Sequence, residues 1–397
     1  MDSLKLSVLA IVYSLLLVSC GGGGSGNNDG TGEDTGDEGG NGNLVNTNAT
    51  IMGTVAGTTV IALDADNNEV ASDIAEGTPK AFSLDLPVDN AYRFYFIENE
   101  NTPEEKVSAL YQDNTNVFSI TSAQTIDLGF VDTTSGVAVP TKNPLGVEGV
   151  TSGGEIKKPP SYLNYAGTYN TITEHYDLNI SDGLTLGTAT IDFELTRVDN
   201  SNLILDASVN NPDEGVYTFQ LPLVISDSTA SIATQPYNLD GSVLLDFLLL
   251  SDGNNLVYTG IGQELNDPAD ISVSVANWSN DTEPVSIEDF TGTWTGIVRS
   301  DSDLSNTSDG FAITSETMTI TNTTPDTIEI SFGDELLTLN VNDERAVLSS
   351  VPVTLGSTIY HAFKIVTDGN GIAFYSVSAG LIDPTAIAVS MGLLGKQ

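Results

Sequence analysis

Few side chains in this sequence could carry chemistry. Cys20 is the only cysteine, and it follows an apolar run from Leu6 to Val18 that is broken only by Ser7 and Ser14. Its thiolate would be a competent nucleophile for taking up an acyl or diacylglyceryl group. The two histidines, His175 and His361, stand in no metal-ligand or nucleophile pattern. His361 lies within Thr358-Ile359-Tyr360-His361-Ala362-Phe363, where a half-exposed strand residue is the plain reading. The sequence has no Gly-x-Ser-x-Gly elbow, no His-Glu-x-x-His pair and no phosphate-cradling glycine loop. Oxygen chemistry remains. Paired carboxylates can hydrolyse glycosides, and clustered ones can hold a hard cation such as calcium. Such pairing is spatial, so the sequence nominates no glycosidase pair. For calcium the first places are Asp252 and Asp368, which recur at equivalent points of a repeat and also read as turn residues.

Charge narrows the field. Twelve Lys+Arg stand against 54 Asp+Glu, a formal net charge of −42. A chain with that balance is not a phosphate-contacting nucleic-acid binder. The charge favours solubility, especially in salt, and admits divalent cations. With 397 residues the chain can hold two to four domains. A single cysteine rules out an internal disulfide, so the domains hold by core packing alone.

The elements that position these residues begin with Leu17-Val18-Ser19-Cys20, which resembles a bacterial lipobox. With Lys5 in front and an apolar core too short to span a membrane comfortably, residues 1–19 read as a cleaved export signal. The resemblance implies lipid on Cys20 and anchoring by several acyl chains, each buried methylene contributing about 0.8 kcal/mol. Gly21, in place of an inner-membrane-retaining Asp, resembles outer-membrane sorting; the chain would face the periplasm or the cell surface. Residues 20–43 then form a Gly-rich acidic tether, with Asp29, Glu33, Asp34, Asp37 and Glu38 keeping it solvated. A coil of that length spans about 25–30 Å.

Residues 44–133 alternate short Thr/Val/Ile/Phe runs with turns. Phe82, Leu84 and Leu86 alternate with Ser83 and Asp85, and Tyr92, Phe94 and Phe96 repeat the pattern. This predicts an antiparallel sandwich. Gly53-Thr54-Val55, Val60-Ile61-Ala62-Leu63-Asp64, Phe82-Ser83-Leu84 and Tyr92-Arg93-Phe94 resemble the transthyretin-like, carboxypeptidase-regulatory-type module. The resemblance implies a non-catalytic spacer or platform. Asp64, Asp66 and Asn68 have the spacing of the first EF-hand ligands. Glu69 and Ala75 then break that pattern, which leaves a β-turn. Residues 134–163 are rich in Gly, Pro, Ser and Thr and read as a linker.

The remainder is a duplication, residues 164–281 and 288–397. Tyr165-Ala166-Gly167-Thr168-Tyr169 matches Phe290-Thr291-Gly292-Thr293-Trp294 at an offset of 125 (Gly292 against Gly167). Asp252-Gly253-Asn254 matches Asp368-Gly369-Asn370 at an offset of 116, so the second copy has lost about nine residues from its middle. Eight short strands per copy with hairpin connections predict an up-and-down barrel, with a Greek-key sandwich as the other solution. Gly167-Thr168-Tyr169 and Gly292-Thr293-Trp294 resemble the opening of lipocalin-like barrels. Tyr169 and Trp294 would plug the closed ends or, in the functional alternative, floor a ligand site. Trp278 would cap its barrel or face the second copy.

The expected protein is therefore all-β: a tethered sandwich and two tandem barrel-like or sandwich units. Its function is that of a non-enzymatic envelope lipoprotein that binds or scaffolds an unidentified protein or glycan. It meets lipid through Cys20, with no nucleic acid and no cofactor beyond possible calcium. The alternatives are carriage of a small hydrophobic ligand inside the barrels and, more remotely, glycan hydrolysis. Interior filling separates carriage from the rest, because large inward residues close the cavity and small ones leave it open.

Overall fold

The computed structural model describes residues 47–397, apart from 57–58, 135, 155, 180–182, 213–214, 227–228, 233–235, 240–241, 266–269, 280–285, 302–310, 333–334, 343–344, 349–351 and 383–386. Cys20 and the stretches read as an export signal and a tether lie outside the described residues. The chain is all-β, with three barrel-like sheets and, among the described residues, a single-turn α-helix, α1 (Ile287–Phe290), and two three-residue 3-10 turns at Pro144–Gly146 and Ser161–Leu163.

The first sheet holds β1 (Asn48–Val55), β2 (Thr59–Leu63), β3 (Glu69–Ile74), β4 (Lys80–Pro87), β5 (Asn90–Glu98), β6 (Lys106–Leu110), β7 (Phe118–Ile120), β8 (Thr125–Asp132), β9 (Val137–Pro140) and β10 (Val150–Ser152). Its order is β10-β7-β5-β6-β9-β8-β1-β4, with β2 joining β5 to β3. The alternation read in β4 sets its register. Phe82, Leu84 and Leu86 face inward opposite Gly53, Ile51 and Ala49 of β1. Gly53 is required there, since a Cβ would stand 2.7 Å from the Gly129 carbonyl oxygen and 3.1 Å from the Phe82 ring. β5 is buried on both faces. Tyr92, Phe94 and Phe96 join the main core, and Tyr95 and Ile97 pack with Ile61, Leu63 and Leu163.

Two features depart from the simple antiparallel pattern. β1 pairs with β8, and β6 with β9, in parallel. The second lies in the stretch 134–163 read as a linker, where residues 137–140 and 150–152 are strands of this sheet. β9 pairs with β6 and β8, and β10 pairs with β7. Asn143 caps the intervening turn by accepting from the Leu145 N–H at 2.8 Å. These strands have four and three residues. Runs so short show no periodicity, and their Pro and Gly neighbours dominate the composition.

The second sheet comprises β11 (Gly167–Asn179), β12 (Gly183–Asp199), β13 (Asn202–Asn211), β14 (Gly215–Ser226), β15 (Thr229–Ile232), β16 (Tyr237–Leu239), β17 (Ser242–Ser251), β18 (Asn255–Glu264) and β19 (Asp270–Ser279). The third comprises β20 (Gly292–Asp301), β21 (Ala312–Thr324), β22 (Thr327–Phe332), β23 (Glu335–Asn342), β24 (Arg345–Leu348), β25 (Val353–Leu355), β26 (Thr358–Thr367), β27 (Gly371–Gly380) and β28 (Ile387–Lys396). Each is an antiparallel meander. Its first strand pairs with its last, and the β15·β17 or β24·β26 pairing closes the wall. The up-and-down barrel is therefore the realised solution. One further short strand, β16 or β25, folds back on the wall as a hairpin. Three residues were too few to announce it.

The duplication reaches the register. β16, β17 and β18 match β25, β26 and β27 end to end at the offset of 116. Each copy carries a bulge at the same station, Leu245 in β17 and His361 in β26. The missing nine residues lie in one hairpin. Ala207 opposes Phe219 and eleven residues separate them, where Phe332 and Glu335 are separated by two.

The barrels pack back to back. Tyr176, Leu250, Val257, Val273 and Val275 of the first meet Val366, Ala373, Tyr375, Val377 and Val389 of the second in one core. Buried apolar side chains of this size contribute roughly 1.5–3 kcal/mol each.

Candidate functional site

Tyr169 and Trp294 occupy one station in the two barrels, and each is held by the same device. The Tyr169 hydroxyl donates to the Tyr165 carbonyl at 2.9 Å, and the Trp294 ring N–H donates to the Phe290 carbonyl at 2.9 Å. All four residues are buried. Tyr169 stacks on Phe193 with centroids 5.0 Å apart and meets Trp278 edge-on at 4.9 Å. Burial pushes the Tyr169 hydroxyl well above its ordinary pKa. Lys396 sits 5.1 Å over the Trp294 ring. Both aromatics thus stand as core plugs, and Trp278 packs against the core of its own barrel.

The inward positions above the plugs are mostly large. Ile191, Leu195, Leu203, Leu205, Leu221 and Phe247 fill the first barrel. Ile320, Ile328, Leu337, Leu339, Phe363 and Phe374 fill the second. By the interior-filling criterion, this packing counts against carriage of a hydrophobic ligand. The first barrel also carries polar pairs. Buried Thr173 and Tyr258 share a hydrogen bond of 2.5 Å, and half-buried His175 Nδ1 lies 2.9 Å from Ser274 Oγ across the β11·β19 ladder. His361 stands at the bulge of β26, and partial burial lowers its pKa.

Asp252 and Asp368 are brought together. Asp252 Oδ1 accepts from the Asn254 and Asn255 N–H groups at 3.0 and 2.8 Å. Asp368 Oδ1 accepts from Asn370 and Gly371 at 3.0 and 2.6 Å. Each is the turn residue its Asp-Gly pattern announces. The two turns nonetheless meet at Gly371. A Cβ on Gly371 would come 2.9 Å from Asp252 Oδ2, 3.6 Å from Asp368 Oδ1 and 2.8 Å from the Asn255 side-chain nitrogen. Asp64, by contrast, only closes its own turn, accepting from Asp66 and Asn68 N–H groups, both at 2.9 Å.

Sequence reasoning missed the ionic seam between the first sheet and the first barrel. Arg197 of β12 reaches Glu105 at 2.9 Å and Glu100 at 3.2 Å. The Arg197 and Glu105 side chains are 4% and 0% exposed. Burial alone would lower the Arg197 pKa, but the hydrogen bonds and charges of Glu105 and Glu100 outweigh it and hold the guanidinium firmly charged. The available signal was rarity, because an arginine amid strand alternation stands out among only twelve cations. The pairing of Asn255 with Gly371 had its own signal, a side chain lost between the copies at a turn that otherwise repeats.

Surface concavities are open troughs. One of about 750 Å³ is lined by Ile61, Ser72, Ile74, Glu76 and Glu100 of the first sheet. Another of about 550 Å³ on the first barrel is lined by Asp192, Glu194, Asp206, Thr218 and Gln220.

No family model and no curated protein matches the chain. Among solved structures, it is similar to a Nostoc punctiforme protein of the DUF3598 family, described as of unknown function. That match has 10% identity and a TM-score of 0.29, over 61% of this chain and 99% of that one. It is also similar to a candidate outer membrane protein from Bacteroides fragilis, with 8% identity and a TM-score of 0.21, over 60% of this chain and 100% of that one. A candidate AttH protein from Nitrosomonas europaea matches with 10% identity and a TM-score of 0.18, over 57% of this chain and 92% of that one. Likenesses this distant carry no argument about what the chain does.

Proposed function

We propose that this chain is a lipid-anchored envelope module that presents outer surfaces of a rigid β body to a protein or glycan partner, without catalysing a reaction. The observation that carries the reading is the way its parts are joined. One buried core fuses the barrels, and a buried Arg197–Glu105 pair fixes the first barrel to the first sheet. Filled interiors leave the outer faces as the working surface. The anchor rests on Leu17-Val18-Ser19-Cys20, and the first sheet serves as a transthyretin-like spacer between anchor and barrels.

The test is metabolic labelling of producing cells with a clickable palmitate analogue, followed by membrane fractionation. The native chain is expected to carry label and sediment with membranes, and Cys20→Ser to lose both. Equal labelling of the two would end the anchoring reading. Digestion of intact cells by external protease would place the module outside, and protection until the outer membrane is permeabilised would place it in the periplasm.

A further inference from the structure

We propose that the free edge of β3 in the first sheet docks an extended, lysine- or arginine-bearing segment of a partner protein as an added strand. Among the described residues β3 forms a ladder only with β2, and β4 only with β1. The two strands share one backbone bridge, Glu76 with Ala81, beside the turn that joins them. Beyond it the Asp73 carboxylate accepts from the Ser83 N–H at 2.7 Å. A side chain thus stands where a ladder bond would, and the edge of β3 stays open. The strand runs six residues, Glu69–Ile74, or about 20 Å. An open edge of that length offers main-chain N–H and C=O groups to an incoming strand.

The edge borders the trough of about 750 Å³, whose lining includes Ile61, Ile74 and the carboxylates of Glu69, Asp73, Glu76 and Glu100. Ile74 is 65% exposed, more than any other large apolar side chain described in the strands of this sheet. An apolar edge is normally blunted by charge, and here the charge has one sign. Asp73 is engaged by Ser83 and Glu100 by Arg197. Glu69 and Glu76 have no cationic partner among the described residues. That sign selects the occupant. A second copy of this chain would bring its own net charge of −42 and the same four acids to the edge. The chain's own acidic stretch, with Asp29, Glu33, Asp34, Asp37 and Glu38, is repelled in the same way. A cationic strand is attracted instead, and its side chains on one face, two residues apart, lie over the trough.

The proposal rests on the reading of the outer faces as the working surface, and not on the anchor. Its test is fluorescence polarisation of a labelled alternating Lys–Val peptide titrated with the full chain at low ionic strength. The native chain is expected to bind it. Full N-methylation of the peptide keeps its charge and removes the N–H groups that would pair with β3, so binding should weaken at least about tenfold. Glu69→Lys/Glu76→Lys should weaken binding of the unmethylated peptide as much. Asp192→Lys/Glu194→Lys makes the same charge change on the first barrel and should leave binding within about twofold. If the first double variant does not fold, Ile74→Lys takes its place. Absence of binding up to millimolar protein overturns the proposal. Equal binding of the methylated peptide overturns it too, since charge alone would then suffice, and so does an equal loss in the two double variants. Self-association of the native chain that the peptide competes away would give the edge to a second copy and overturn the choice of occupant. Failure of peptide binding with Cys20 still labelled removes the docking edge and leaves the anchor standing.

Discussion

The two barrels share a sequence plan and a register, and four of their differences bear on how each is built and joined. Asn322 of the second barrel stands where the first has Arg197. Two residues of the second replace the eleven, Ser208–Thr218, of the longer hairpin. Gly371 stands opposite Asn255, and Ala362 takes the place of Asp246. What does not differ is the internal frame: the aromatic plug with its hydrogen bond four residues back, the Asp-Gly turn and the bulge. Three of the four differences lie where one body meets another, and the fourth lengthens a rim. Duplication thus kept the parts that close a barrel and varied those that meet something else.

The sharpest test of that contrast is Arg197 against Asn322. Arg197→Ala strands a fully buried Glu105 carboxylate and should cost about 3–5 kcal/mol in denaturant unfolding. Asn322 is exposed, and Asn322→Ala should stay within about 0.5 kcal/mol. Arg197→Met/Glu105→Leu should recover most of the loss, because replacing a buried pair with apolar groups removes its desolvation cost. If Arg197→Ala proves as mild as Asn322→Ala, the joint with the first sheet is not rigid. The proposed function would then lose its support.

The plugs test the opposite claim, that the inner frame is shared. Trp294→Ala should cost about 3–5 kcal/mol by leaving a cavity in the core of the second barrel. Replacing Ser208–Thr218 by Gly333-Asp334, the two residues at that place in the second copy, should leave the far-ultraviolet spectrum intact. It should lose roughly 1.5–3 kcal/mol for the burial of Val209. Tyr169→Phe keeps the ring and removes only the hydrogen bond to Tyr165, a loss of about 1 kcal/mol. A larger effect of Tyr169→Phe than of Trp294→Ala would mean that the two stations are not equivalent.

How much of this was legible follows from the range of each signal. The barrel strands could be read because alternation over six or more residues is a local pattern, as in Thr327–Phe332. Asp252 and Asp368 could be named as turn residues because Asp-Gly acts locally. Their meeting at Gly371 could not, because it depends on how two barrels pack. The strands Val137–Pro140 and Val150–Ser152 were hidden because three or four residues carry no period. Arg197 was hidden because its partners lie more than ninety residues away.

The smallest expected effect concerns Asp246, where the second barrel places Ala362 in the shared core. Burial raises the Asp246 pKa, and the nearby charge of Asp301 adds to the rise. A carboxyl whose pKa is raised on folding is penalised when ionised. The native chain therefore loses stability as pH climbs from the ordinary carboxylate value, about 3.9, through the higher folded value. Asp246→Asn escapes that penalty, so it should melt above the native chain at neutral pH. The gap should shrink as pH falls and close below about 3.9. Many other carboxylates titrate in this window, so the quantity to follow is the difference between the two melting curves. A gap that stays constant with pH would assign the gain to packing and remove charge burial from the list of differences between the barrels.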